Sequence, residues 1–492
     1  MESKQLQVVF FPFMAQGHMI PLVDMARLFA RRGVKSTIIT TPLNAPLFSD
    51  KIKRDADQGL QIQTHIIDFP FLEAGLPEGC ENVNTIKSAD MLLPFFMSMH
   101  AFKKPVEELL ELWKPDCFVA DLFFHWGTES AHSLGIPRLF FNGTSSFAIC
   151  LMHCFTRQEP WKGVESDSEP FVMPGLPHRI EFTKLQLPPF WKGEGITEEW
   201  LEMRDLINES EEKSFGAVVN SFHELEPGYS EHYKEVVGRK AWFIGPLSLS
   251  NKDSTLEKAE RGKTAAIDGH ECLRWLDCRE PHSVLYICFG SMSDIPNAQL
   301  FEIASALEAS VQGFIWVVKK ENSKEKKGEW LPEGFEERME GRGLIIRGWA
   351  PQVLILDHQA TGGFMTHCGW NSTLEGVVAG VPMVTWPLGA EQFLNGRLVT
   401  DVLRVGVGIG PQEWSRNDRE IMVGREDIER AVRQVMVGEH AEEMRERAME
   451  LKVKAVKGNE EGGSSYSDLK SLLKELASVR DKKDVDLSSC KL

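Results

Sequence analysis

His367, Asn371 and Ser372 fall within one six-residue stretch, directly after an apolar run (Gly362–Thr366) that reads as a β-strand. Ser372-Thr373-Leu374-Glu375 has the S-x-x-E spacing of a capping box, which would open a helix running toward Gly380 and Pro382. A strand, a glycine-containing turn and a helix N-terminus together make an anion site, because unpaired N–H groups and the helix dipole face the ligand. Around it, Trp349 offers an aromatic face for a base and Gln352 an amide for that base's edge. Glu375 is an acceptor suited to ribose hydroxyls, and Glu391 with Gln392 pairs an acceptor with a donor suited to a sugar. These groups share 44 residues, Trp349–Gln392, that contain no Lys or Arg. Backbone N–H groups, a helix dipole, neutral donors and His367 would hold the anion, without a cationic clamp.

A second group lies far away in sequence. His18 follows the run Phe10–Pro21 (FFPFMAQGHMIP), and Asp121 ends Cys117–Asp121 (CFVAD). Both positions lie at the carboxyl end of a strand, where open α/β sheets bind ligands. Histidine suits general-base work because its ordinary pKa is about 6.5, and a carboxylate on one ring nitrogen fixes the tautomer. A lone His is more often structural and a lone strand-end Asp a helix cap; the spacing does not show that the two touch.

The elements that must position these groups come in two blocks. Gln7–Phe13, Lys35–Thr40, Gln61–Ile67, Asp116–Asp121, Pro137–Phe141 and Gly216–Asn220 read as strands, several as continuous apolar runs typical of parallel sheets covered on both faces. The rhythm restarts with Ser283–Cys288, Gly313–Val318, Gly343–Arg347, Gly362–Thr366 and Pro382–Trp386. Between the blocks, Ser248–Asp268 is rich in Ser, Lys, Glu and Gly and reads as a solvated linker. The fold expected is α/β, with two doubly wound Rossmann-like domains facing across a cleft. Glu426–Ala477 is helical in pattern.

Composition narrows the function. The 492 residues carry a net charge of −17, which argues against nucleic acid or an anionic membrane surface as a partner. No apolar run approaches the roughly 18 residues of a membrane helix. The first residues read as a strand, not a signal peptide, and nine scattered cysteines read as free thiols of a reducing compartment; a cytoplasmic protein is expected. Gly262-Lys263-Thr264 looks like the end of a phosphate-binding loop, but Glu257 stands where that pattern needs glycine. Asp55-Ala-Asp57 reads as solvated surface rather than a metal clamp.

The Trp349–Gln392 segment resembles, nearly position for position, the signature box of plant family-1 UDP-glycosyltransferases. The likeness extends from Val8 to about Leu476 and is nearest the branch that glucosylates flavonoids, betanidin and small phenolics. It implies a GT-B fold: residues 1–247 as the acceptor domain, 248–268 as linker and 269–460 as the UDP-sugar domain. A helix over 461–480 would pack back on the first domain, with 481–492 a flexible tail. It implies catalysis by His18 and Asp121. Trp349, Ala350, Gln352 and Glu375 would bind the nucleoside, and His367, Asn371, Ser372 and Ser291 (of CFGS) the diphosphate. Thr144 (of NGTS) would lie near phosphate and hexose, with Trp370, Glu391 and Gln392 on the hexose. Phe123, Phe124, His125, Phe147 and Leu187 fall in segments that line the family's acceptor pocket, although core packing explains them equally well. The implied reaction is inverting, metal-independent transfer of glucose from UDP-glucose to a small phenol by a monomer without a further cofactor. An epimerase or glycan-extending transferase on the same plan, and a non-catalytic binder, are the rival readings.

Overall fold

A computed structural model describes residues 5–193, 197–250, 255–319, 330–410, 412–414 and 422–489. Val8, Val9, Phe10 and Phe11 are inaccessible to solvent on both faces. They form β1 (Gln7–Phe11) in the interior of a parallel sheet, and Pro12, with no N–H to offer a ladder, follows its end. The sheet continues through β2 (Lys35–Thr40), β3 (Ile62–Ile66), β4 (Cys117–Asp121) and β5 (Arg138–Phe141). The two-residue strands β6 (Phe171–Val172) and β7 (Glu181–Phe182) pair separately, and β8 (Gly216–Val219) and β9 (Ala241–Phe243) complete the order β3-β2-β1-β4-β5-β8-β9. The second sheet contains β10 (Val284–Cys288), β11 (Gly313–Val318), β12 (Gly343–Arg347), β13 (Thr361–Thr366), β14 (Met383–Thr385) and β15 (Gly406–Gly408), in the order β12-β11-β10-β13-β14-β15.

Both sheets are doubly wound, so each has one place where the strand order reverses. In the first it lies between β1 and β4, with Phe11 in register with Ala120. In the second it lies between β10 and β13, with Cys288 in register with Thr366. Ligands of open α/β sheets bind at that reversal, beyond the carboxyl ends of the strands. Among the described residues, no helix is long and apolar enough to cross a membrane.

The helix Ser464–Ser489 returns to the first sheet. Leu469, Leu472 and Leu476, spaced three and four apart, form one stripe buried with Val8, Phe10 and Leu22. Asp468 Oδ2 accepts the Phe243 N–H at 2.8 Å. The helix runs on through Ser489, beyond the end expected at residue 480, and Lys483 Nζ donates to the carbonyls of Leu134 and Gly135; residues 490–492 lie outside the described residues.

Two readings of charged segments are corrected. Asp55 is 3% exposed, and its carboxylate accepts from Arg27 Nε and Nη2 at 2.5 and 3.1 Å. The stretch 248–268 is more than a solvated tether: apart from 251–254, outside the described residues, it includes the helix Thr255–Ala259. Glu257 of that helix pairs with Arg27 at 3.0 Å, and Arg261 is nearly buried. A charged composition reports polarity, and pairing lets such side chains be buried.

Candidate active site

After β1 the chain turns through Phe13–Ala15 into the helix Gln16–Arg31, whose first turn carries His18. β4 ends on Asp121. Because β1 and β4 are neighbours, His18 Nδ1 comes within 2.7 Å of Asp121 Oδ2. The Asp121 side chain is fully buried, whereas 25% of the His18 side chain is exposed. An ionised carboxylate has no proton to give, so Nδ1–H donates and Nε2 is left as the basic nitrogen. Burial pulls the imidazole pKa down, but the charge and hydrogen bond of Asp121, with the charge of Glu391, hold it above 6.5.

Asp121 is itself supported. Its Oδ1 accepts the Phe123 N–H at 3.3 Å, and its carbonyl accepts from Arg138 Nη2 at 3.2 Å. Arg138 also donates to the Ala120 carbonyl, and its burial drives the guanidinium pKa down to about 9. The sequence reading passed over Arg138; a cation inside the apolar run Pro137–Phe141 was the available signal.

Across the cleft, His367 follows β13 and Ser291 follows Gly290 just beyond β10. Gly290 has φ +77°, and a Cβ there would lie 2.6 Å from the His367 ring, so only glycine fits. Burial pushes the His367 pKa down to about 4, which makes it a neutral donor or acceptor and not a cation. Its Nδ1 and the hydroxyl of Thr144 are buried with no hydrogen-bond partner among the described residues. Such orphaned groups are uncommon in folded proteins, and ligand oxygens would satisfy them. Thr144 adjoins Gly143, where a Cβ would lie 3.4 Å from the His18 ring.

The capping-box expectation is not met. The helix Trp370–Ala379 begins after Gly369, which has no side chain to cap with. Ser372 therefore lies in the first turn and Glu375 one turn on, along the same face. Both accept from Gln352 Nε2, at 3.1 and 2.7 Å. Glu375 Oε1 also accepts from Arg261 Nε at 2.8 Å, and Trp349 Nε1 donates to the Arg261 carbonyl at 3.1 Å. Ala350 is buried beside them and its carbonyl accepts the Gln352 N–H.

Several of these residues also bridge the two halves. Asn371 Nδ2 donates to the Gly17 carbonyl at 2.7 Å, and Trp370 Nε1 to the Asn220 carbonyl at 2.8 Å. Glu391 is partly buried, and the loss of solvation raises its pKa against the opposing pull of its own and the Trp370 N–H, the His18 charge and Asn395. Gln392 Oε1 accepts the N–H groups of Leu388 and Gly389, both at 2.9 Å, so the other end of its amide, an NH₂ donor, is left for a ligand. Asn395, overlooked in the sequence, is wholly buried; it donates to the Cys368 carbonyl and Glu391 and accepts from Ser145 Oγ.

On the acceptor side, Phe123 and His125 are partly exposed, while Phe124, Phe147 and Leu187 are at most 1% exposed. Phe124 stacks on Phe11 at 3.9 Å and Phe147 meets Tyr229 edge-on. Those three line no space that water reaches and serve as core. Burial, with His100, Arg138 and Lys103 nearby, lowers the His125 pKa to about 4. Phe123 belongs to an aromatic wall by His18 whose other members were not singled out from the sequence: Phe96 lies 4.8 Å from Phe123 and 5.2 Å from Trp200, backed by Phe13.

Two doubly wound parallel sheets whose reversal points face one another make up the GT-B architecture of nucleotide-sugar glycosyltransferases. The chain belongs to the UDP-glycosyltransferase family. Residues 262–453 match the family described as UDP-glucoronosyl and UDP-glucosyl transferase. Over 473 residues the chain is 52% identical to scopoletin glucosyltransferase of Nicotiana tabacum, covering 96% of this chain and 98% of that one. It is 51% identical over 477 residues to anthocyanin 3'-O-beta-glucosyltransferase of Gentiana triflora, covering 96% and 99%. The crystal structure of Glycyrrhiza uralensis UGT73P12 complexed with glycyrrhetinic acid 3-O-monoglucuronide is similar with a TM-score of 0.91 at 41% identity, covering 99% of each chain.

Proposed function

We propose that this enzyme transfers glucose from UDP-glucose to a hydroxyl of a small phenolic acceptor, with inversion and without a metal, using His18 as general base. The observation that carries the base assignment is the 2.7 Å contact between His18 Nδ1 and buried Asp121, at the reversal point of the first sheet. Nε2 takes the acceptor proton as the oxygen attacks the anomeric carbon, and Asp121 stabilises the imidazolium that forms. The bond from that carbon to the UDP oxygen breaks on the opposite face, through a transition state of oxocarbenium character. Trp349, Ala350, Gln352 and Glu375 hold the nucleoside. Ser291, His367, Asn371, Ser372 and Thr144, with the N-terminus of the helix Trp370–Ala379, take up the diphosphate charge as it develops. Trp370, Glu391 and Gln392 meet the hexose.

Relatives named for scopoletin and for an anthocyanin support a phenolic acceptor. Buried free thiols such as Cys117, Cys150 and Cys368 favour a reducing, cytoplasmic setting; the reading is of a monomer with no further cofactor. His18→Ala is expected to abolish transfer while UDP affinity, measured by calorimetry, is kept; turnover retained on a good phenolic acceptor would sink the base assignment. Mass spectrometry of products from flavonols, coumarins, simple phenols and triterpenoids with UDP-glucose identifies the acceptor class.

A further inference from the structure

The 44-residue segment that would hold the nucleotide has no Lys or Arg, yet a guanidinium reaches it from the stretch joining the two sheets. Arg261 donates from Nε to Glu375 Oε1 at 2.8 Å and from Nη1 to Asp24 Oδ2 at 2.5 Å. The side chains of Arg261, Asp24 and Glu375 are 12%, 7% and 9% exposed. The backbone at this point is fitted to Trp349. The Arg261 carbonyl accepts the indole N–H, and Gly262, at φ +89°, would place a Cβ 2.2 Å from Trp349 Cζ2. A turn earlier, Glu257 pairs with Arg27. The segment is thus anchored to the helix Gln16–Arg31 at Asp24 and Arg27 and to the nucleotide side at Trp349 and Glu375.

This arrangement meets two requirements of a buried carboxylate beside a diphosphate. Unpaired, Glu375 would be costly to bury and would repel the ligand; the guanidinium offsets its charge. With Oε1 held by Arg261 and Oε2 by Gln352, the carboxylate is fixed in orientation, and each oxygen keeps a second acceptor site for a hydroxyl. We propose that Arg261 is a positioning residue for the nucleotide ribose, acting through Glu375 and held in place by Asp24. The inference rests on the reading of Glu375 as the ribose carboxylate.

The test is calorimetry on the full-length protein with UDP and with 2′,3′-dideoxy-UDP, which lacks the hydroxyls Glu375 would take. Wild type should prefer UDP by about 10- to 100-fold. Arg261→Ala should lose most of that preference while its affinity for the dideoxy analogue stays within about 3-fold, and KM for UDP-glucose should rise far more than kcat falls. Arg261→Gln, which keeps length without charge, carries the same expectation should the alanine variant fail to fold. A preference for UDP undiminished in either folded variant overturns the role of Arg261. A wild type that binds UDP but does not distinguish the two nucleotides overturns the Glu375 reading itself, and a wild type that binds neither overturns the donor site.

Discussion

The Asn371 side-chain amide donates to the carbonyl of Gly17 at 2.7 Å, so the turn presenting His18 is bonded directly to the helix N-terminus that faces it across the cleft. Replacing that donor with an acceptor reverses the sign of the contact. Asn371→Asp sets a carboxylate against a carbonyl oxygen and beside the proposed diphosphate position, whereas Asn371→Ala leaves the carbonyl to water. Asp, though nearly isosteric, is expected to be the worse change: kcat/KM for UDP-glucose should fall about 100-fold for Asp and about 10-fold for Ala. Steady-state kinetics of the two variants give the order directly, and an aspartate variant as active as the alanine one contradicts this account.

The pH profile reads the His18 environment. Only the neutral imidazole can take a proton, so kcat/KM should rise with pH through the His18 pKa. Asp121 and Glu391 hold that pKa above 6.5, which places the midpoint of the acid limb on the alkaline side of 6.5. Asp121→Asn removes the stronger of the two charges and puts an amide, which can donate as well as accept, where the carboxylate could only accept, so the tautomer is no longer fixed. The midpoint should move to lower pH, and kcat should drop by about 10²- to 10⁴-fold. A profile of the variant that overlays the wild type at reduced amplitude would assign the acid limb to another group.

The parallel sheets were legible in the sequence because β1, β4, β10 and β13 are short, largely apolar runs, whereas the reversal points were not, because which strands lie side by side is set by pairing between distant segments. The grouping of Gln352, Ser372 and Glu375 was legible because they lie within one local segment, and they share a hydrogen-bonded cluster. Arg138, Arg261 and Asn395 were not, because each acts on a partner distant in the chain: Arg261 and Glu375 are 114 positions apart and Ser145 and Asn395 are 250. Asp55 and residues 255–261 looked solvated because composition cannot tell a paired charge from a hydrated one. The S-x-x-E spacing misled for a related reason. It puts Ser372 and Glu375 on one helix face wherever the helix begins, and here that face is bonded to Gln352 rather than to the helix's own end. Phe124 and Phe123 differ only in which way a strand-end turn points them.

Donor choice should depend on how Gln392 is held. Its carbonyl oxygen is committed to two backbone N–H groups, so its amide meets the sugar as a donor. A histidine can supply a ring N–H but cannot accept both backbone groups with the same geometry, and the Leu388–Gly389 turn should shift. Gln392→His is expected to lower kcat/KM for UDP-glucose by about 10-fold, about the weight of one net hydrogen bond, while UDP affinity changes little. Parallel kinetics with UDP-glucose and UDP-galactose check this, and an unchanged ratio between them removes Gln392 from sugar selection.

The aromatic wall separates acceptor binding from core packing within three neighbouring phenylalanines. Phe123 lies 5.7 Å from the His18 ring and 4.8 Å from Phe96, and both phenylalanines are partly exposed. A planar phenolic ring between them and the base would gain offset-stacked or edge contacts worth about 0.5–1.5 kcal/mol. Phe96→Ala should therefore raise KM for a phenolic acceptor by about 3- to 10-fold and leave KM for UDP-glucose unaltered. Phe124, wholly buried and stacked on Phe11, should behave in the opposite way. Phe124→Ala should cost about 3–5 kcal/mol of stability, read as a lowered denaturation midpoint, with acceptor KM little changed in whatever fraction stays folded. An increase in acceptor KM at Phe124 without loss of stability would return that residue to the pocket and displace Phe96 from it.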